Sequence, residues 1–141
     1  MTDEFPMIEV NDLTASRSDK DLLSRIAKKV LIGENKKELG LSIALVNQAA
    51  IKELNREYRG KNKATDVLSF RYGDSGEIVI CPAEVRKNAK RFDSTFNKEL
   101  TKVLIHGIMH LLGHDHEKSR IKAEKMEERQ NHYLKLCQKL I

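Results

Sequence analysis

The sequence predicts a single α/β domain of α+β character, a small mixed four-stranded sheet packed with about five helices. Three observations lead there. Strand-like and helix-like segments follow one another in the order β-α-β-α-β-β-α-α-α along 141 residues, a length that suits one hydrophobic core. No linker, repeat or low-complexity tract divides residues 1–141, and no window approaches the ~20 apolar residues of a membrane span. The helix read from about Ser94 to Leu112 is apolar on nearly every side, which places it at the centre of the packing.

Each element has its own signal. Met7 to Val10 reads as a short first strand, ended by Asn11-Asp12. Ser16 or Ser18 can cap a helix through about Glu34, with Leu22, Leu23, Ile26, Val30 and Leu31 as its apolar stripe. After Gly40, Leu41, Ile43 and Leu45 alternate with Ser42, Ala44 and Val46, a strand expected to be buried on both faces. Gln48 to Tyr58 is read as a helix with Ala50, Ile51, Leu54 and Tyr58 on its apolar side. Val67 to Tyr72 and Glu77 to Cys81 form an antiparallel hairpin around Gly73-Asp74-Ser75-Gly76. Pro82 stops the second of these strands and starts a helix through about Phe92. Ser94-Thr95-Phe96-Asn97 opens the central helix, and Lys118 to Leu140 forms the last one. That helix turns Ala123, Met126, Tyr133, Cys137 and Leu140 toward the core.

Bulk properties narrow the setting. Met1 to Pro6 is acidic and lacks the apolar stretch of a signal peptide. Cys81 and Cys137 lie far apart, each in an apolar pattern, so buried free thiols are expected rather than a disulfide. A cytoplasmic protein is the expectation. Lys and Arg number 26 against 21 Asp and Glu, a net charge of +5. That balance permits an anionic partner without establishing one.

The chemistry concentrates in His106-Gly107-Ile108-Met109-His110-Leu111-Leu112-Gly113-His114-Asp115-His116, which holds four of the five histidines. His106 and His110 are four apart, so on a helix they share one face and can share one metal ion. Gly113 is suited to the left-handed conformation that ends a helix. The chain can then return a third imidazole, with His116 the natural candidate. Three neutral imidazoles with an open fourth position describe a catalytic zinc site, with one Zn²⁺ per chain. The expected site is therefore a metal cleft on the central helix, and such an ion is built for hydrolysis.

The spacing His-x3-His-x2-Gly-x2-His matches the metzincin protease pattern at every ligand position. It departs at Gly107, where those proteases carry the glutamate general base. Asp115 and Glu117 lie on the turn, and either can orient a ligand or act as a base. Their plainer reading is an exposed turn and a helix cap. Two basic groups follow: Lys52, Arg56, Arg59, Lys61 and Lys63 with Arg71, and then Arg86, Lys87, Lys90 and Arg91. Taken alone both read as solvated faces. Beside a water-activating metal they favour a phosphodiester substrate, because Arg binds phosphate through a planar fork.

With these residues assembled, the chain resembles the YbeY family of single-metal bacterial endoribonucleases. His106 to His116 resembles the family's HGxxHLxGyDH signature. The run Leu54-Asn55-Arg56-Glu57-Tyr58-Arg59-Gly60-Lys61, with Thr65 to Phe70, resembles LNxxYRxxdxpTDVLSF, and Gly76 to Cys81 resembles GDIvI. The likeness spans about residues 40–117. Ala64 stands where the family usually has Pro, and His114 replaces an aromatic residue, offering a rival imidazole to His116. His132 is read as an ordinary residue of the last helix.

The resemblance implies His106, His110 and His116 as zinc ligands, with Arg59 facing the scissile phosphate. Substrate contacts from Arg56, Lys61 and Arg71 and support from Asp115 complete the expected site. It further implies a single-strand-type endoribonuclease acting in maturation of the 3′ end of small-subunit ribosomal RNA and in ribosome quality control, with the small subunit and an assembly GTPase as partners. Whether water or the RNA 2′-hydroxyl attacks is left open. Two rival readings accompany it. One is a zinc metalloprotease or amidohydrolase, which a glutamate at Gly107 should improve. The other is a ribosome-assembly factor whose metal is mainly structural.

Overall fold

Alternation at Leu41, Ile43 and Leu45 builds the strand on which the sheet is centred. The computed structural model describes residues 6–15, 18–113 and 119–141. In it β1 (Ile8–Asp12), β2 (Gly40–Leu45), β3 (Val67–Tyr72) and β4 (Ser75–Ile80) form one sheet in the order β1-β2-β4-β3. The first three strands of that order are parallel, and β3 pairs antiparallel with β4 at the sheet edge. The helices are α1 (Lys20–Gly33), α2 (Gln48–Arg59), α3 (Pro82–Arg91), α4 (Phe96–Leu111) and α5 (Arg120–Cys137), closed by a 3₁₀ turn over Gln138–Leu140. The predicted order and class are both found.

Register decides which side of the sheet is the core. Val10, Ile43 and Ile78 are cross-strand partners, as are Leu45, Ile80 and Val67. They pack with Leu23, Ile26 and Val30 of α1 and Leu104, Ile105 and Ile108 of α4. The opposite face carries a smaller cluster, in which Leu68 and Val79 meet Ile51 of α2. β2 is therefore less enclosed than its sequence suggests: Leu41, Ile43 and Leu45 are buried, but Ser42 and Ala44 only half-buried. One helix crossing a four-stranded sheet leaves part of that face open.

Several boundaries differ from the sequence reading, each for a local reason. Asp19, not Ser18, caps α1, accepting a hydrogen bond from the Leu22 amide at 3.0 Å. An ionised cap gains from the helix dipole as well as the hydrogen bond. Ser16 and Lys118 lie outside the described residues. The hairpin turn is only Gly73-Asp74, since Tyr72 already pairs with Ser75. On α2 the buried positions are Ile51 and Asn55, whereas Ala50 and Tyr58 are exposed. Asn55 tolerates burial because its side-chain amide donates to the Lys63 carbonyl at 2.9 Å, pinning the loop that leads into β3. α5 buries Met126, Tyr133 and Cys137 with Ala123 half-buried, as is Leu140 of the 3₁₀ turn that follows. Cys81 and Cys137 are buried free thiols, as expected, and burial pushes both thiols upward in pKa. Among the described residues no helix is long and apolar enough to cross a membrane.

Tyr133 fixes α5 against the end of α1. Its hydroxyl donates to Glu34 Oε2 at 2.6 Å and accepts from Arg129 Nη2 at 3.0 Å. Burial, and then the Glu34 carboxylate, push the phenol up to about 12 from its ordinary 10. A raised folded pKa stabilises below the unfolded value and is lost as pH rises through the folded one. Tyr133→Phe is thus expected to cost about 2 kcal/mol at neutral pH. The gap to the parent should narrow between pH 10 and 12, read by urea unfolding; an unchanged gap would show that the phenol proton contributes nothing.

Candidate active site

α4 spends most of its surface on the core. Leu100, Leu104, Ile105, Ile108, Met109 and Leu111 are buried, leaving a half-buried stripe of Val103, His106 and His110 facing a cleft of about 910 Å³. The four-residue spacing brings the two imidazoles together. Their Nε2 atoms lie 2.9 Å apart, with ring centroids 4.4 Å apart and planes at 75°. Two nitrogens ligating one tetrahedral zinc at ~2.0–2.1 Å would sit roughly 3.3 Å apart. The pair therefore fits two ligands of one ion with a small opening.

Gln130 of α5 supplies the orientation. Its Oε1 lies 2.6 Å from His106 Nδ1. A carbonyl oxygen only accepts, so Nδ1 carries the proton and Nε2 presents its lone pair to the shared point. This is the supporting contact that metal-ligating histidines commonly have. Among the described residues no group of three His, Cys, Asp or Glu side chains gathers here. The expected third ligand His116, its rival His114 and the acids Asp115 and Glu117 lie outside the described residues.

The edge strand holds the site in place at two carbonyls. Ser69 Oγ donates to the Gly107 carbonyl at 2.8 Å, and Arg71 Nη1 donates to that of Leu111 at 3.1 Å. Each of those residues follows a histidine in the chain. Arg71 also donates to the Gly73 carbonyl at 2.7 Å, and its contact with Leu111 places the cation at the C-terminal end of α4, where the helix dipole favours it. Gly113 follows with φ of +94°, the left-handed turn its position predicted.

Of the four basic residues expected to meet substrate, Arg59 and Arg71 line the cleft, joined by Lys102. Arg56 and Lys61 are exposed and do not line it, and Arg56 instead pairs with Glu53 one turn earlier. The basic group on α3 is also apart from the cleft: Arg86 lies over Phe96 at 4.7 Å, and Lys87 pairs with Glu84 at 3.2 Å. His132 is exposed on α5, edge-on to the Tyr133 ring. Sequence reasoning missed Gln130, Ser69, Lys102 and Asp66, the last being the acidic side chain among the described lining residues. Ser69 and Asp66 belong to the Thr65–Phe70 run and could have been found there. Gln130 lies in a polar stretch with no local signal.

Comparison with known proteins supplies the family. The family model for endoribonuclease YbeY matches residues 7–138. The endoribonuclease YbeY of Thermotoga neapolitana is 45% identical over 120 residues, 82% of this chain and 80% of the relative. That of Thermosipho melanesiensis is 37% identical over 124 residues, 86% of this chain and 90% of the relative. The solution structure of a Thermotoga maritima protein superposes with a TM-score of 0.67 at 36% identity, covering 93% of this chain and 89% of that one. With the histidine pair and cleft in place and a family match across nearly all of its length, the chain belongs to the endoribonuclease YbeY family.

Proposed function

We propose that this chain is a zinc-dependent endoribonuclease that matures the 3′ end of small-subunit ribosomal RNA. The observation that carries the reading is the convergence of His106 and His110 on one point in a cleft that Arg59 also lines. His106, His110 and His116 would hold the ion, which when bound lowers the pKa of a water toward ~7 and polarises a phosphoryl oxygen. The rest is the work of the chain. Gln130 keeps the proton of His106 on Nδ1, and Ser69 and Arg71 fix the helix that presents both rings. Arg59 stabilises charge on the phosphoryl oxygens, and Asp115 supports a ligand. Partnership with the small ribosomal subunit and an assembly GTPase in the cytoplasm belongs to the same reading.

Arg59 is exposed at the last turn of α2, so its truncation should leave the fold intact. Arg59→Ala is expected to lower cleavage of structured ribosomal RNA about a hundredfold. Initial rates with stringently purified protein check this, and full activity in the variant would defeat the proposal.

A further inference from the structure

Large aromatic side chains usually turn inward, and Tyr58 continues the apolar stripe of α2. The structure nevertheless leaves it 60% exposed, lining the cleft next to Arg59. The ring is braced. Phe70 of β3 meets it edge-to-face, with centroids 5.2 Å apart and planes at 69°. Phe70 is itself half-buried and packed against the smaller core cluster. A tyrosine with few rotatable bonds and most of its surface free suits a planar ligand, because it loses little conformational freedom on binding. The cleft around it is cationic: Arg59, Arg71 and Lys102 line it against Asp66 as the acid among the described lining residues.

We propose that Tyr58 is a nucleobase platform. An unpaired base next to the scissile phosphate stacks on the Tyr58 ring while Arg59 engages the phosphate. The inference rests on the RNA-cleaving reading and assigns that reading a base subsite. A positively charged wall with a braced aromatic is the combination that single-stranded nucleic acid requires, one part for the backbone and one for the base. Bases within a duplex present no free face, so the platform gives a physical basis for the single-strand-type cleavage that the family resemblance already implies. Stacking on an aromatic is tolerant of base identity, and the subsite therefore imposes no sequence preference of its own.

The test uses the full-length metal-loaded protein and single-stranded RNA oligomers carrying one abasic position at each site around the cleavage point. Tyr58→Ala should lower kcat/KM by roughly five- to a hundredfold, with Tyr58→Phe and Tyr58→Trp near the parent. One abasic position should cost the parent a similar factor and cost Tyr58→Ala nothing further, a coupling that a purely structural role would not produce. The inference is overturned if Tyr58→Ala stays within twofold of the parent, or if every abasic position affects both proteins equally. In those cases a loss of cleavage in Arg59→Ala leaves the nuclease reading standing. A parent protein that does not cut RNA would overturn both.

Discussion

His110→Ala is expected to reduce RNA cleavage at least about a thousandfold while the chain stays folded. The ring is half-buried beside the cleft and is not part of the core cluster, so its removal costs little packing. Among the described residues no other imidazole lines the cleft beside His106. His106 Nε2 and His110 Nε2 meet at 2.9 Å because the residues lie one helical turn apart. The neighbouring side chains, Met109 and Leu111, are apolar members of the core cluster and offer no nitrogen to the site. Zinc stoichiometry measured on purified protein should fall with the activity. Gln130→Leu should give a graded version, weakening zinc affinity about tenfold by releasing His106 from its Nδ1–H tautomer, with Gln130→Glu restoring it. Cleavage by His110→Ala at the parental rate would end the metal-dependent reading. A folded His110→Ala that had lost cleavage yet still supported ribosome maturation would instead favour the assembly-factor reading.

The order of elements and the central helix were legible because both depend on local pattern. An all-round apolar helix interrupted by histidines four apart can bury its surface and still present one stripe only if it sits between sheet and cleft. The place of Arg59 at the cleft was legible through its setting in the Leu54–Lys61 run. What local pattern could not supply were pairings made by distant packing. Gln130 meets His106 because α5 is docked through Met126, Tyr133 and Cys137, 24 residues along the chain from its partner. Arg71 reads as a substrate contact from charge alone, yet its guanidinium is engaged by the carbonyls of Gly73 and Leu111. Tyr58 continues an apolar stripe whose last turn is exposed at the cleft instead of buried against the sheet.

The same limit applies to the protease reading, and Gly107→Glu decides it. By spacing, a glutamate there would restore the general base of a metzincin site. In three dimensions Gly107 is packed directly against the sheet. A Cβ at that position would lie 3.1 Å from both Ile78 Cδ1 and Val67 Cγ2 and 3.2 Å from Ile78 Cγ2. The helix cannot readily retreat, since Ser69 Oγ holds the Gly107 carbonyl at 2.8 Å. Alanine is expected to be nearly tolerated: its gain in helix propensity of about 1 kcal/mol offsets small shifts of flexible methyl groups. Glutamate adds one more methylene and a carboxylate beyond that Cβ, starting against buried Ile78 and half-buried Val67. Overpacking and carboxylate burial together should cost about 4 kcal/mol, lowering Tm by roughly 15 °C in a domain of this size. The variant should therefore lose RNA cleavage through misplacement of His106 and His110, and gain no hydrolysis of peptides. If Gly107→Glu instead melts with the parent and cuts a peptide substrate, the cleft tolerates the protease constellation, and the nuclease assignment loses its steric argument.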